Sequence, residues 1–163
     1  MFSSKSTHVL GAAALALGAS TMLAVQAAEM GALGGTFQKA EAPVSGSFMI
    51  KKEAGRQVLV LSSDFRTNDS APDLKVAFSP SATPLAMSKP PKYELKPGSY
   101  TVLAPLRSSK GAQSYVIPAS INLSQQKSVL IWCQKFNATM AWAPLKQGSR
   151  VNDAMQKDSM MKK

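Results

Sequence analysis

The chemistry available to this chain is concentrated in one short stretch. Ser128-Val-Leu-Ile-Trp-Cys-Gln-Lys-Phe136 contains the only cysteine of the 163 residues, Cys133, with Trp132 before it and Lys135 two positions after it. A thiol can cycle through a sulfenic acid or a mixed disulfide, or act as a soft ligand for metal or haem iron. Its nucleophile is the thiolate, and an ordinary thiol is mostly protonated at neutral pH. A lysine sharing a strand face with Cys133 would favour the thiolate, and the i, i+2 spacing of Lys135 allows that. The competing reading is a small apolar side chain in a β core beside Trp132, because free cysteine is among the most buried residue types. The sequence leaves both readings open.

Few other reactive groups are present. The single histidine, His8, lies in a segment read as a signal peptide: a short polar start with Lys5, the apolar stretch Val9 to Val25, and small residues at Val25-Gln26-Ala27. Cleavage after Ala27 is expected, giving an exported protein, periplasmic or secreted. The mature chain then has no imidazole. That excludes Ser-His-Asp and Cys-His catalysis, and His-ligated zinc or haem. No cofactor is demanded by the sequence, and no catalytic constellation is visible. No later segment is apolar enough to span a bilayer after cleavage. One cysteine cannot form a disulfide within the chain, so stability must come from the core.

Four oxygen-bearing side chains, Asp64, Asn68, Asp69 and Asp73, lie within ten residues. They could gather around calcium, but the spacing does not match the helix–loop–helix calcium pattern, and Asp and Asn also favour turns. Met140 lies where a hairpin could bring it towards Cys133, and Met155, Met160 and Met161 cluster near the end. Soft sulfur suits Cu(I), although a blue-copper site of the His-containing kind is excluded in a mature chain without histidine. Three N-glycosylation patterns, beginning at Asn68, Asn122 and Asn137, are read as coincidence in a Ser-rich chain.

The chain carries 19 Lys+Arg against 9 Asp+Glu, a formal charge of +10. Without the signal the balance is +9. The basic residues are thinly spread and no nucleic-acid motif accompanies them, so nucleic acid is not an expected partner. A weak attraction to an anionic membrane or cell-wall polymer fits better, with Arg107 and Lys110 on one loop and the Asp64 to Asp73 loop as candidate recognition elements.

The elements that must position these residues read as strands. Val44–Ile50 alternates, with Phe48 and Ile50 on one face, and the charged turn 51–56 joins it to the apolar Gln57–Leu61. Leu74–Phe78 alternates again. Ser79 to Pro91 is irregular and Pro-rich. Tyr93–Leu95 and Tyr100–Leu103 flank the turn Lys96-Pro-Gly-Ser99. Gln113–Ile117 ends at Pro118, and Ile121–Leu123 reads as a bridging strand. Val129 to Trp132 is an unbroken apolar run of strand-forming types, which implies a strand with both faces covered, and Thr139–Ala143 is its expected partner. Some eight short strands with almost no helical period predict an all-β, single-domain antiparallel β-sandwich. The expected organisation is a signal peptide at 1–27, a flexible lead-in at 28–35, the sandwich at 36–146 and a basic, Met-containing tail at 147–163, disordered or a short helix.

The succession Gly35-Thr-Phe37, Val44-Ser-Gly46, Asp64-Phe65, Ala71-Pro-Asp-Leu74, Gly111-Ala-Gln113-Ser-Tyr115-Val-Ile-Pro118, Val129-Leu-Ile-Trp-Cys133 and Ala143-Pro-Leu145 resembles the DM-thirteen domain. The resemblance covers about residues 34–146. It implies a small extracytoplasmic all-β domain with an electron-transfer role, in which Cys133 matches the family's recurring cysteine. In multidomain relatives this domain sits beside DOMON and b-type cytochrome modules. This chain has neither, so the resemblance implies a separate redox partner protein. Two functions follow as expectations: a redox-linked accessory protein using Cys133, or a non-catalytic binding module in which the cysteine is structural and the loops recognise an anionic envelope component or a protein.

Overall fold

The computed structural model describes residues 32–147. The expected signal peptide and the expected tail beyond Gln147, with Met155, Met160 and Met161, lie outside the described residues; Gln147 itself is strand. Ten strands form two antiparallel five-stranded sheets. The first sheet contains β1 (Leu33–Thr36), β3 (Ser47–Glu53), β4 (Arg56–Leu61), β7 (Gln113–Ile117) and β10 (Lys146–Gln147), in the order β10-β1-β3-β4-β7. The second contains β2 (Gln38–Lys39), β5 (Leu74–Ser79), β6 (Thr101–Pro105), β8 (Ser128–Cys133) and β9 (Ala138–Pro144), in the order β2-β9-β8-β5-β6. The all-β sandwich expected from the strand pattern is the fold.

Alternation builds the main core. Phe48 and Ile50 of β3, with Leu59 and Leu61 of β4, face Val76 and Phe78 of β5 and Val129 and Ile131 of β8. Phe37 sits between β1 and β2, where the chain leaves one sheet for the other, and its ring meets Phe48 at 5.8 Å and Phe65 at 5.4 Å. These inner residues are almost wholly removed from water, and burying each such side chain stabilises the fold by about 1.5–3 kcal/mol.

Two turns follow from their residues. Glu53 pairs with Arg56, leaving a two-residue loop of Ala54 and Gly55, both at positive φ (47° and 77°). This is the left-handed pair that a tight hairpin needs to match strand twist. The turn expected around 96–99 is also present, closed by the Ser99 amide donating to the Lys96 carbonyl at 3.0 Å.

Three expectations need correction. The lead-in expected at 28–35 becomes strand from Leu33 onward. A Cβ on Gly35 would stand only 2.0 Å from the Pro144 carbonyl oxygen, so this glycine permits close backbone approach where β1 passes β9. Its role is packing, and the flexible reading does not hold there. Tyr93–Leu95 is not a strand. Tyr93 has φ 46°, which breaks extension, and the Leu95 backbone bonds to a side chain from another part of the chain. Ile121–Leu123, expected as a bridging strand, leads instead into a 3-10 turn at Leu123–Gln125, capped by the Asn122 side chain accepting from the Ser124 amide.

Candidate functional site

Strand β8 lies between β9 and β5 in its sheet, and its two faces meet different surroundings. Val129, Ile131 and Cys133 point into the sandwich core. Leu130 and Trp132 point to the other side, into a second cluster with Ala77 and Leu95, against which Tyr100 and Trp142 pack. Cys133 and Trp132 are thus adjacent in sequence and on opposite faces, as a period of two requires. The core reading that placed Cys133 beside Trp132 is corrected on this point.

Cys133 is fully buried. It pairs with Leu74 of β5 and Ala138 of β9 and is the last residue of its strand. Gln134, Lys135 and Phe136, immediately after it, are exposed. The thiol therefore sits at the rim of the core, one residue from solvent. Lys135 does not share a strand face with it. The strand ends at Cys133, and Lys135 lies in the turn, with its ammonium 5.9 Å from the centre of the Phe136 ring. Met140 falls at the irregularity where Ile131 pairs with Ala141 and Trp132 with Thr139. The extra residue lets Met140 and Ala141 both join the inner core.

The outer face of β8 is closed by the irregular connection between β5 and β6. Four polar side chains fasten that connection. Ser79 Oγ donates to Ser99 O at 3.0 Å, Ser128 Oγ to Ser81 O at 2.8 Å and Thr139 Oγ1 to Tyr93 O at 2.7 Å. Asn137, at φ 46° in the β8–β9 turn, makes three bonds. Its Oδ1 accepts from Trp132 Nε1 and from the Leu95 amide, each at 3.0 Å, and its Nδ2 donates to the Leu95 carbonyl at 3.1 Å. Sequence reasoning met Asn137 only as the start of a coincidental glycosylation pattern and missed this role. Its signal was an Asn between two apolar strands, the residue type that tolerates left-handed backbone. Tyr100 stacks obliquely on Trp132 with ring centres 4.6 Å apart.

The two candidate recognition loops come together. Thr67 N donates to Ser109 O and Gly111 N to Phe65 O, both at 2.8 Å, and Arg66 forms an antiparallel bridge with Lys110. The side chains are less free than the sequence implied. Arg107 lies over the Tyr115 ring at 4.8 Å and also donates to the Ser114 carbonyl. Tyr115 in turn accepts from the Arg107 amide at 3.1 Å and donates to Gln113 Oε1 at 2.6 Å. Lys110 is exposed.

The four oxygen ligands do not converge. Asn68 Oδ1 accepts from the Ser70 amide at 3.0 Å in a local turn, Asp73 pairs with Lys75 at 2.7 Å, and Asp64 and Asp69 are exposed. Among the described residues no three His, Cys, Asp or Glu side chains gather as a metal site. Beside this loop lies an open groove of about 600 Å³ between residues 41–45 and 66–68. Thr67, which lines it, is buried and its Oγ1 has no partner; sequence reasoning gave no sign of this.

No described helix is long and apolar enough to cross a membrane. The family model described as Electron transfer DM13 matches residues 36–145, which spans β2 to β9 and all the groups above. Comparison with curated proteins and with solved structures returns no match.

Proposed function

From the premise that this chain belongs to the Electron transfer DM13 family, we propose that it is an exported, redox-linked accessory protein whose reacting group is the Cys133 thiol. The observation that carries this reading is the position of the sole cysteine, at the end of a central strand and one residue from an exposed turn. Export is supported by the apolar stretch Val9 to Val25 and the small residues that close it.

Burial dictates how such a thiol works. In the closed fold Cys133 has no accessible surface, so a partner reaches it only when the turn at 134–137 opens. Once open, a thiolate can displace one thiol of a partner disulfide, forming a mixed disulfide and releasing the other sulfur as thiolate. With a peroxide the sulfur takes one oxygen, the O–O bond breaks, and water leaves. Each step is a two-electron oxidation of Cys133: one further thiol releases it from the mixed disulfide, whereas the sulfenic acid needs two, the first forming a mixed disulfide with loss of water and the second displacing Cys133 from it. Asn137, which ties the turn to Leu95 and Trp132, controls this access.

The test is thiol labelling of the folded protein read by intact mass, before and after peroxide. Slow labelling under native conditions, with a sulfenic adduct or linked dimer after peroxide that Cys133→Ser removes, is the expected result. Labelling that occurs only in denaturant would sink the redox role. The second reading, a non-catalytic binding module, would then stand. It is favoured by the groove beside Arg66 and by the unpartnered Thr67 hydroxyl, and it predicts that Thr67→Val and Arg66→Ala weaken partner binding while Cys133→Ala does not.

A further inference from the structure

We propose that the end of the molecule formed by residues 87–97 and the 134–137 turn docks on an anionic lipid bilayer. This inference is independent of any chemistry at Cys133. Residues 87–92 and 94–97, with Asn137, line an open groove of about 690 Å³. Lys89, Lys92 and Lys96 are exposed along it, against one acidic residue, Glu94. Asn137 bonds both the amide and the carbonyl of Leu95, so the turn carrying Lys135 and Phe136 is held against the same segment. Four ammonium groups are thereby collected at one end of the fold. Among the described residues the ion pairs are Lys51–Glu53 and Lys75–Asp73, so none of these four lysines is neutralised.

The apolar groups at this end decide the kind of partner. Met87 is 79% exposed and Phe136 is 52% exposed, the two highest values among the large hydrophobic side chains of the described residues. Three exposed prolines, Pro90, Pro91 and Pro97, add apolar surface between the lysines. A soluble surface gains nothing by holding Met and Phe in water beside four unpaired cations. A bilayer interface accepts both at once: phosphates meet the ammonium groups, and the apolar side chains enter the headgroup–acyl boundary. A plain polyanion would use only the charge. The same end contains the exposed turn that follows Cys133, so docking would bring the rim of the core close to the membrane surface.

The test uses the purified mature chain, residues 28–163, in sedimentation with vesicles of phosphatidylcholine alone, and of equal parts phosphatidylcholine and phosphatidylglycerol. Binding is expected to the mixed vesicles only, and to fall as salt is raised. The K89A/K92A/K96A variant should bind more weakly by roughly a hundredfold, at about fivefold for each lysine. The M87S/F136S variant should lose about tenfold. Lys51→Ala with Lys52→Ala, on the β3–β4 hairpin, should change nothing. All substituted side chains are exposed, and an unchanged urea midpoint verifies each fold. Failure of the wild-type chain to bind the mixed vesicles overturns the proposal. So does binding that survives both sets of substitutions, which would belong to another segment. Loss with the lysine set but not with M87S/F136S would point to a polyanion and equally overturn it.

Discussion

The two faces of β8 are covered in different ways. The inner face is closed by a second sheet, and the contact is made by apolar side chains: Val129 and Ile131 against β3 and β4 residues such as Phe48 and Leu59. The outer face is closed by an irregular connection that has no ladder of its own. It is fastened instead by single polar bonds from Ser79, Ser128, Thr139 and Asn137. Three of these, Ser79, Ser128 and Thr139, belong to the four buried polar residues of the described chain. The fourth, Thr67, lines the groove by the loops. Buried hydroxyls in this protein are mainly staples for a strap. The difference teaches that one continuous apolar run can support a sheet-packed core on one side and, on the other, a cover held at a few polar points.

The largest effect that would test this contrast is a truncation on each side. Ile131→Ala should destabilise the protein by about 2–5 kcal/mol, with little room for the two sheets to collapse around the void. Leu95→Ala, on the strap, should cost less, about 1–3 kcal/mol, because an irregular segment can settle into the space. Urea midpoints measure both, and equal losses would break the distinction. Asn137→Ala comes next. It removes three bonds and leaves Trp132 Nε1 and the Leu95 backbone without partners, a cost of about 1–3 kcal/mol. Hydrogen exchange should show residues 92–97 losing protection while β3 and β4 keep theirs, and Cys133 should label faster. Uniform loss across both sheets would mean that the strap and the core melt together. The smallest effect is expected from Asp73→Asn, which removes the 2.7 Å ion pair to Lys75. Lys75 stands opposite Trp132 on the outer face. The pair is partly solvated, so a few tenths of a kcal/mol up to about 1 kcal/mol is the expected shift in the urea midpoint.

Where local pattern carried the information, the fold was legible. The alternation of Phe48 and Ile50, the charged hairpin at 51–56 and the unbroken run from Val129 predicted strands that exist, and predicted that β8 is covered on both sides. What covers the outer side was not legible, because the strap is defined by partners some 42 to 47 residues away in the chain. Gly34 and Gly35 were expected to be flexible because composition cannot distinguish a glycine that moves from one that lets two backbones touch. At the candidate site, the burial of Cys133 was one of two readings the sequence left open, and the reading that set it in one core beside Trp132 overlooked the alternation that puts the two on opposite faces. Lys135 misled for a physical reason: the two-residue rule holds only while the strand continues, and this strand stops at Cys133. The loops at 66–69 and 107–111 were seen separately, and nothing in either segment announced that backbone bonds would join them.

At two places the chain changes sheets across a single residue, at Phe37 between β1 and β2 and at Leu145 between β9 and β10. Among the described residues the outermost strands produced there, β2 and β10, are two residues each. A second molecule seeking to extend either sheet at that side would find almost no free backbone template, too little to nucleate a shared ladder. The crossovers thus protect this margin from the self-templated stacking to which open β-sheets are prone, and each border strand adds an exposed lysine, Lys39 or Lys146, to the same effect.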